Sequence, residues 1–371
     1  MLKKKGYNVI GLFINNWEDP VFKCNWIKDS IDAMLIANKL KIPFQVIKMK
    51  KEYNKYVINY MFNEYKIGKT PNPDILCNEK IKFNFFLKIA TIKLKADFIA
   101  TGHYVKKKEL IKNNKIIYRI LIGKDLNKDQ SYFLCRLSQY QLKKSLFPLG
   151  NLTKDEVRKI AKSNNFCNAY KKDSQGLCFV GKIKLPEFLE KRISKKKGKV
   201  IYIKSSSSIY KNNNISKTDN FFSIKKKIKY KETDGKIIGY HSGAHQFTKG
   251  QRKGISIGGY KKALFVIDTD IEKNIIYTGM GREHPGLYRK YLFIKEKDIH
   301  WIRSDIFLSL EGEKMKVFCR IRYRQSLQKA TLFKLKLGIL IFFEKMQYAI
   351  SEGQFAVWYL NKELIGSGII S

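Results

Sequence analysis

Two cysteines stand in sequence suited to sulfur chemistry. Cys77 belongs to Thr70–Asn78, read TPNPDILCN, and Cys178 to Asp173–Phe179, read DSQGLCF. Both stretches are rich in turn formers, and the thiols lie 101 positions apart. Brought together by a fold, two such thiols divide a sulfur transfer between them: one carries or attacks, the other resolves. Asp74 precedes Cys77 by three residues, and Pro71 and Pro73 hold Asn72 and Asp74 in extended or turned backbone. A carboxylate that near orients a substrate or takes a proton while a thiolate attacks. Lys171 and Lys172 lie upstream of Cys178, and nearby cations lower a thiol's pKa. A structural reading stands beside each. NPD also reads as a helix-opening turn with Cys77 a small buried hydrophobe, and Cys178 as a buried cysteine beside the Gly176 turn. Cys24, Cys135, Cys167 and Cys319 sit in apolar or helical contexts and read as structural.

Other polar clusters point toward nucleic acid. Asn127–Ser131 offers a cation and amide donors suited to phosphate or base edges, and it equally suits a surface helix start. His103 reads as a nucleotide or nucleic-acid contact or as a structural histidine. Five histidines with no paired spacing argue against a zinc site. Gly243–Gly259 and Arg320–Gln325 place aromatics beside Arg, which stack on splayed bases, or are hairpin turns with solvated charge. Ser256–Gly259 is discounted as a phosphate loop because it lies among strands and opens no βα unit.

The elements that position these residues follow from hydrophobic period. Met1–Tyr7 reads as a helix tail closed by Gly6, followed by a strand at Asn8–Ile14. Helices are expected over Asp29–Leu40, Tyr53–Tyr65 and Asn84–Leu94, and strands over Ile42–Lys48 and Ala96–Ala100. This alternation implies a parallel sheet whose ligands bind at the carboxyl ends of its strands. Gly11–Phe13 and Thr101–His103 lie near such ends. A helix over Leu152–Ser163 has Thr153 as N-cap and Glu156 completing a capping box, and Ile183–Leu189 suits a further helix. Lys204–Lys236, rich in Lys, Ser, Asn and Ile, reads as a flexible insertion. From Gly239 onward, short strands such as Leu264–Asp268, Ile275–Thr278, Lys316–Tyr323, Ile339–Phe343 and Gln354–Leu360 suggest one or two small β-barrels. The expected division is 1–145, 146–197, 198–290 and 291–371.

The chain has 371 residues, room for about two or three cores, and 44% of them are hydrophobic. Its 74 Lys and Arg against 32 Asp and Glu give a charge of +42, a field that attracts polyanions. Lys, Ile, Asn, Tyr and Phe all have A/T-rich codons, so base composition accounts for the charge as well as binding does. There is no C-x-x-C pair, no secretory signal and no apolar run of ~18 residues. A reducing cytoplasm without a disulfide framework, and no membrane partner, are therefore expected.

In order and nearly end to end, the segments GLFINNWED, TPNPDILCNEKIKF, ADFIATGHY, NKDQSYFL, FPLG, KKDSQGLCF, GQRKGISIGG, NIIYTG, RYRQ and EGQFAVWY resemble the bacterial tRNA-specific 2-thiouridylase (MnmA) family. The resemblance implies an α/β fold: a parallel-sheet, adenine-nucleotide-hydrolase-like (PP-loop) domain, a small helical middle domain and a C-terminal β-barrel region. It implies that the wobble uridine of tRNAs, those for Lys, Glu and Gln, becomes 2-thiouridine. ATP with Mg2+ would adenylate the C2 oxygen, and sulfur would come from a persulfide donor or sulfur-relay protein. By motif match Cys178 carries the persulfide, Cys77 is the nucleophile or resolving thiol, and Asp74 the acid/base partner, the two thiols closing a disulfide. Asn72, Pro73 and Asp74 would surround the target base, and Ile14 and Gly102 would line the nucleotide site. His103, Lys128, Asp129, Gln130, Arg322, Tyr323 and Gln354 would touch tRNA. No resident metal site is implied.

The family opens with a strand and an SGGxDS loop that grips pyrophosphate, and this sequence begins after that loop. An upstream start or a recent truncation is expected, with lower stability than a full-length relative because strand edges are exposed. The alternative is a tRNA-binding remnant with impaired catalysis.

Overall fold

Short parallel pairs, rather than one wide sheet, frame the first half of the chain. The computed structural model describes residues 1–17, 26–171, 185–190, 192–211 and 228–371. Strand β1 (Gly11–Asn15) pairs in parallel with β2 (Phe44–Lys48), Gly11 opposite Phe44. Helix α1 (Trp26–Lys39) covers the pair: a Cβ added at Gly11 would lie 3.7 Å from Ala37 Cβ. A helical run follows through α2 (Lys50–Tyr53), wide turns at Asn54–Ile58, and α3 (Asn59–Lys66). It buries Tyr53, Val57, Ile58, Met61, Phe62 and Tyr65 in the first core. Helix α4 (Pro73–Leu76) then continues into Cys77–Phe86.

Strand β3 (Ile99–Ala100) is succeeded by a hairpin of β4 (Val105–Lys112) and β5 (Lys115–Ile122). Asn113 and Asn114 turn it in left-handed backbone at φ 49° and 57°, the conformation a two-residue hairpin loop requires. Beyond α5 (Gln139–Lys143), β6 (Ser145–Leu146) pairs in parallel with β3. Helix α6 (Lys154–Ser163) has the expected capping box: Glu156 N–H donates to Thr153 Oγ1 at 3.2 Å, and Thr153 N–H to Glu156 Oε2 at 2.6 Å. A short helix, α7 (Leu185–Glu190), precedes the barrel-like regions.

Strands β7 (Gly198–Tyr202), β8 (Lys236–His241), β9 (Leu264–Asp270) and β10 (Ile275–Met280) form a four-stranded sheet in the order β8-β7-β10-β9. The last region holds β11 (Tyr288–Lys295), β12 (Ile299–Trp301), β13 (Lys314–Arg320), β14 (Gln328–Leu335), β15 (Gly338–Tyr348), β16 (Phe355–Leu360) and β17 (Glu363–Ile369). They run β11-β15-β14-β13-β16-β17-β5-β4, with β12 also on β17. The sheet curls until β11 meets β17, leaving β5 and β4 as an extension: Ser371 N–H donates to Phe293 O at 3.0 Å, and a Cβ at Gly368 would lie 2.4 Å from Ile294 Cγ2.

TPNPDILCN takes the helix-opening form of its two readings, because Asn72 and Pro73 supply the N-cap and first-turn residues that nucleate a helix. One element differs from the sequence reading. The β4–β5 hairpin was not expected, and it extends the C-terminal sheet by pairing β5 with β17. Phe355, Val357, Tyr359 and Leu364 accordingly share a core with Cys77 and Tyr132. Among the described residues no helix is long and apolar enough to cross a membrane.

Candidate functional site

The N-terminus of α4 is built by three consecutive residues. Asn72, in extended backbone, accepts the Ile75 N–H on Oδ1 at 3.3 Å, Pro73 takes the first helical position, and Asp74 lies in the first turn. Pro there needs no N–H, and an acidic residue complements the helix dipole. Cys77 follows at the junction with the next helix and is fully buried among Ile75, Leu76, Ile81 and Phe83. The helix is pinned beside it, where Asn78 Nδ2 donates to Phe133 O at 3.0 Å. The structure thus gives Cys77 the buried position of the structural reading, next to the carboxylate that the chemical reading needs. Among the described residues Cys135, Cys167 and Cys319 are free thiols, while Cys178 and its motif lie outside the described residues. The expected disulfide therefore has one partner in view.

The carboxyl ends of the first-half strands carry the nucleotide candidates. Ile14 is half-buried on β1, and Asn15 and Asn16 follow at 1% exposure each. All four amide atoms of this pair, with Trp17 Nε1, are buried without a hydrogen-bond partner among the described residues. Buried polar groups ordinarily have partners, and open parallel sheets bind ligands at this end. Unpaired amide donors and acceptors suit the edge of a nucleobase, so this part of the chain fits the base of ATP. Gly102 is exposed just beyond β3. Among the described residues no cluster of three or more His, Cys, Asp and Glu could hold a metal ion, and Mg2+ ordinarily takes substrate phosphates and water as ligands.

His103 is buried. Its Nδ1 lies 2.8 Å from Thr101 Oγ1, and its ring packs against Phe83 at 5.9 Å and Phe147 at 6.4 Å. Burial, helped by Lys82, holds its pKa well below the usual imidazole range, so the ring stays neutral.

The expected tRNA contacts separate by burial. Lys128 is half-exposed, and Gln130 Oε1 accepts the Tyr104 N–H at 3.1 Å. Asp129 is 4% exposed, and its carboxylate accepts from Gly123 N–H, Ser131 N–H, Ser131 Oγ–H and Arg320 Nη2 at 2.6–3.2 Å. The Asp129 side chain has no face left for tRNA; it ties the polar run to β13. Arg322 Nη2 donates to Ala349 O at 2.5 Å, and burial lowers the Arg322 pKa. Tyr323 packs on Phe133 with ring centroids 4.4 Å apart. Gln354 donates to Thr70 O at 2.9 Å. Three distant segments therefore gather around Thr70–Asn78: Phe133 accepts from Asn78, Tyr323 packs on Phe133, and Gln354 holds Thr70. Sequence reasoning singled out the stretches that hold Ser131 and Thr248 but missed their partners: Thr248 Oγ1 lies 3.1 Å from Thr70 Oγ1, and Ser131 completes the Arg320 cluster with Tyr359. No local pattern announces contacts between residues so far apart.

Three family models match the chain in order. A tRNA methyl transferase HUP domain covers residues 1–182, a tRNA methyl transferase PRC-barrel domain 222–280, and an aminomethyltransferase beta-barrel domain 293–370. The tRNA-specific 2-thiouridylase MnmA of Karelsulcia muelleri is 56% identical over 371 residues, spanning 100% of this chain and 94% of that protein. The chain belongs to the MnmA family. The MnmA protein of Christiangramia forsetii is 51% identical over 378 residues, spanning 100% of this chain and 95% of its own. That of Proteus mirabilis is 37% identical over 377 residues, spanning 92% of its own length. The fold expected from the sequence, an α/β domain followed by barrel regions, is the fold of the MnmA family.

Proposed function

We propose that this chain is a tRNA 2-thiouridylase, an ATP-dependent sulfurtransferase acting on the wobble uridine of tRNA. The observation that carries the reading is that distant segments flank the helix bearing Asp74 and Cys77: Gln354 holds the loop before Asn72, and Phe133, packed on Tyr323, accepts from Asn78 beside Cys77. Uridine C2 is a poor electrophile until its oxygen becomes a leaving group. The C2 oxygen attacks the α-phosphorus of ATP and releases pyrophosphate. The terminal sulfur of a Cys178 persulfide then attacks C2, and AMP departs with the oxygen. Sulfane sulfur must gain two electrons to end as thiocarbonyl sulfur. Cys77 supplies them by attacking Cys178 Sγ, which leaves a disulfide between the two thiols. Asp74 handles the accompanying proton, and Asn72 and Pro73 border the base. Because Cys77 is buried, this route requires α4 to move or the base to enter its core.

The test mixes the chain with unmodified tRNAs for Lys, Glu and Gln, Mg-ATP and a persulfide donor, with retardation in a mercury-containing gel as readout. Mass spectrometry separates replacement of oxygen by sulfur from addition of a methyl group, the chemistry in the names of two matched family models. Thiolation lost in both Cys77→Ala and Cys178→Ala is the expected result. tRNA bound without thiolation would leave a binding protein in place of the enzyme.

A further inference from the structure

The loop that leads into α4 is held from outside its own region. Thr70 donates its N–H to Glu352 O at 2.8 Å, and Gln354 Nε2 donates to Thr70 O at 2.9 Å and Pro71 O at 3.4 Å. One turn of the C-terminal region thus engages both the backbone donor and the backbone acceptor of Thr70. That turn is itself fixed, since Gly353 N–H donates to Ile370 O at 2.9 Å and Ile370 N–H to Gln354 O at 2.8 Å. Gly353, at φ 86°, lies so near the loop that an added Cβ would meet Lys69 Cβ at 3.0 Å and the Thr70 backbone at 3.1 Å. From the middle region, Thr248 Oγ1 lies 3.1 Å from Thr70 Oγ1, and Thr248 is held by its N–H to Gln251 Oε1 at 3.1 Å. Asn72 begins α4 two residues further on, so a shift of Thr70 carries the helix start with it.

We propose that Gln354 and Thr248 are positioning residues: the two barrel regions grip Thr70 and Pro71 and so fix where α4 presents Asp74 and Cys77. This rests on the thiouridylase reading. A tRNA that engages the barrels acts on the reacting loop through these bonds. Each is a neutral hydrogen bond of small net stability. A reacting group displaced by about 1 Å, by contrast, costs about a hundredfold in rate. The clamp therefore shows in the chemical step more than in folding.

Gln354→Met and Thr248→Val remove the polar atoms with little change of shape. Two measurements on the full chain decide the matter: single-turnover thiolation alongside tRNA affinity, and hydrogen–deuterium exchange over residues 69–78. In each variant, the chemical step is expected to slow about ten- to a hundredfold, with tRNA affinity and melting temperature held and exchange over 69–78 faster. Unchanged exchange over 69–78 in the double variant overturns the clamp. A rate loss matched by an equal loss of tRNA affinity also overturns it and makes Gln354 a direct tRNA contact. If the unaltered chain does not thiolate tRNA, the enzyme reading fails alone, because exchange still decides the clamp.

Discussion

Replacing Asp129 by asparagine removes the one full negative charge hydrogen-bonded to the buried Arg320 guanidinium and little else. An amide oxygen can keep the Gly123 and Ser131 N–H groups, which Oδ1 now accepts at 3.1 and 3.2 Å. The new NH2 then faces Ser131 Oγ and Arg320 Nη2, where Oδ2 now accepts at 2.9 and 2.6 Å. Arg320, 6% exposed, is left with neutral partners: Tyr359 Oη, Ser131 Oγ and Tyr323 O. Orphaning a buried charge costs about 3–5 kcal/mol. With a urea slope of about 2 kcal/mol/M, the midpoint falls by roughly 1.5–2.5 M. Adding Arg320→Met removes the orphaned cation, so the double variant recovers most of the loss. Urea unfolding followed by circular dichroism, with tRNA affinity measured on folded protein, gives the answer. An unchanged midpoint accompanied by weakened tRNA binding would make Asp129 a nucleic-acid contact and refute the reasoning.

Acid should destabilise the fold. All five histidines are held below the ordinary imidazole range by burial, His103 most strongly. The unfolded chain binds these protons near pH 6.5 and the folded chain does not, so stability is full above that pH and falls below it. His103, held lowest by its burial, contributes the largest share of that loss. Urea midpoints that are equal at pH 7.5 and 5.5 would contradict this. Thr153→Ala should cost about 1 kcal/mol through loss of its cap and speed hydrogen exchange across α6; unaltered exchange there would count against it. Gly68→Ala, at φ 78° with its new Cβ 2.4 Å from Ile271 Cγ1, should destabilise by about 1–3 kcal/mol. Ile271→Ala in the same chain should recover part of that loss, and no recovery would place the strain elsewhere.

What the sequence made legible was local. Thr153 and Glu156 lie three residues apart, and their reciprocal bonds need nothing beyond the helix they start. The strands Leu264–Asp270 and Ile275–Met280 pair across a short turn, and their runs rich in Phe, Val, Ile and Tyr, separated at Asn274, place them. Asn72 and Pro73 carried a capping signal too, and the helix-opening turn they offered is the one that forms. Partners far along the chain were not legible. Asp129 looked like a surface carboxylate in a polar run because its counter-charge, Arg320, lies 191 positions later. Thr70 meets Thr248 across 178 positions, and no period encodes such a meeting. Burial of Cys77 depends on Phe355 and Val357, which join its core from the other end of the molecule.

The β4–β5 hairpin sets an order on the making of this protein. Its partner strand is the last one in the chain, and Glu363, 244 positions after Arg119, accepts from both Arg119 and Arg303. Lys112 reaches Asp305 at 3.0 Å in the same zipper of charges. A ribosome therefore releases the hairpin long before anything exists to cover the edge of β5. That edge, with its row of unpaired backbone groups, waits until Glu363 and Leu364 are made and pair with Leu121 and Ile120.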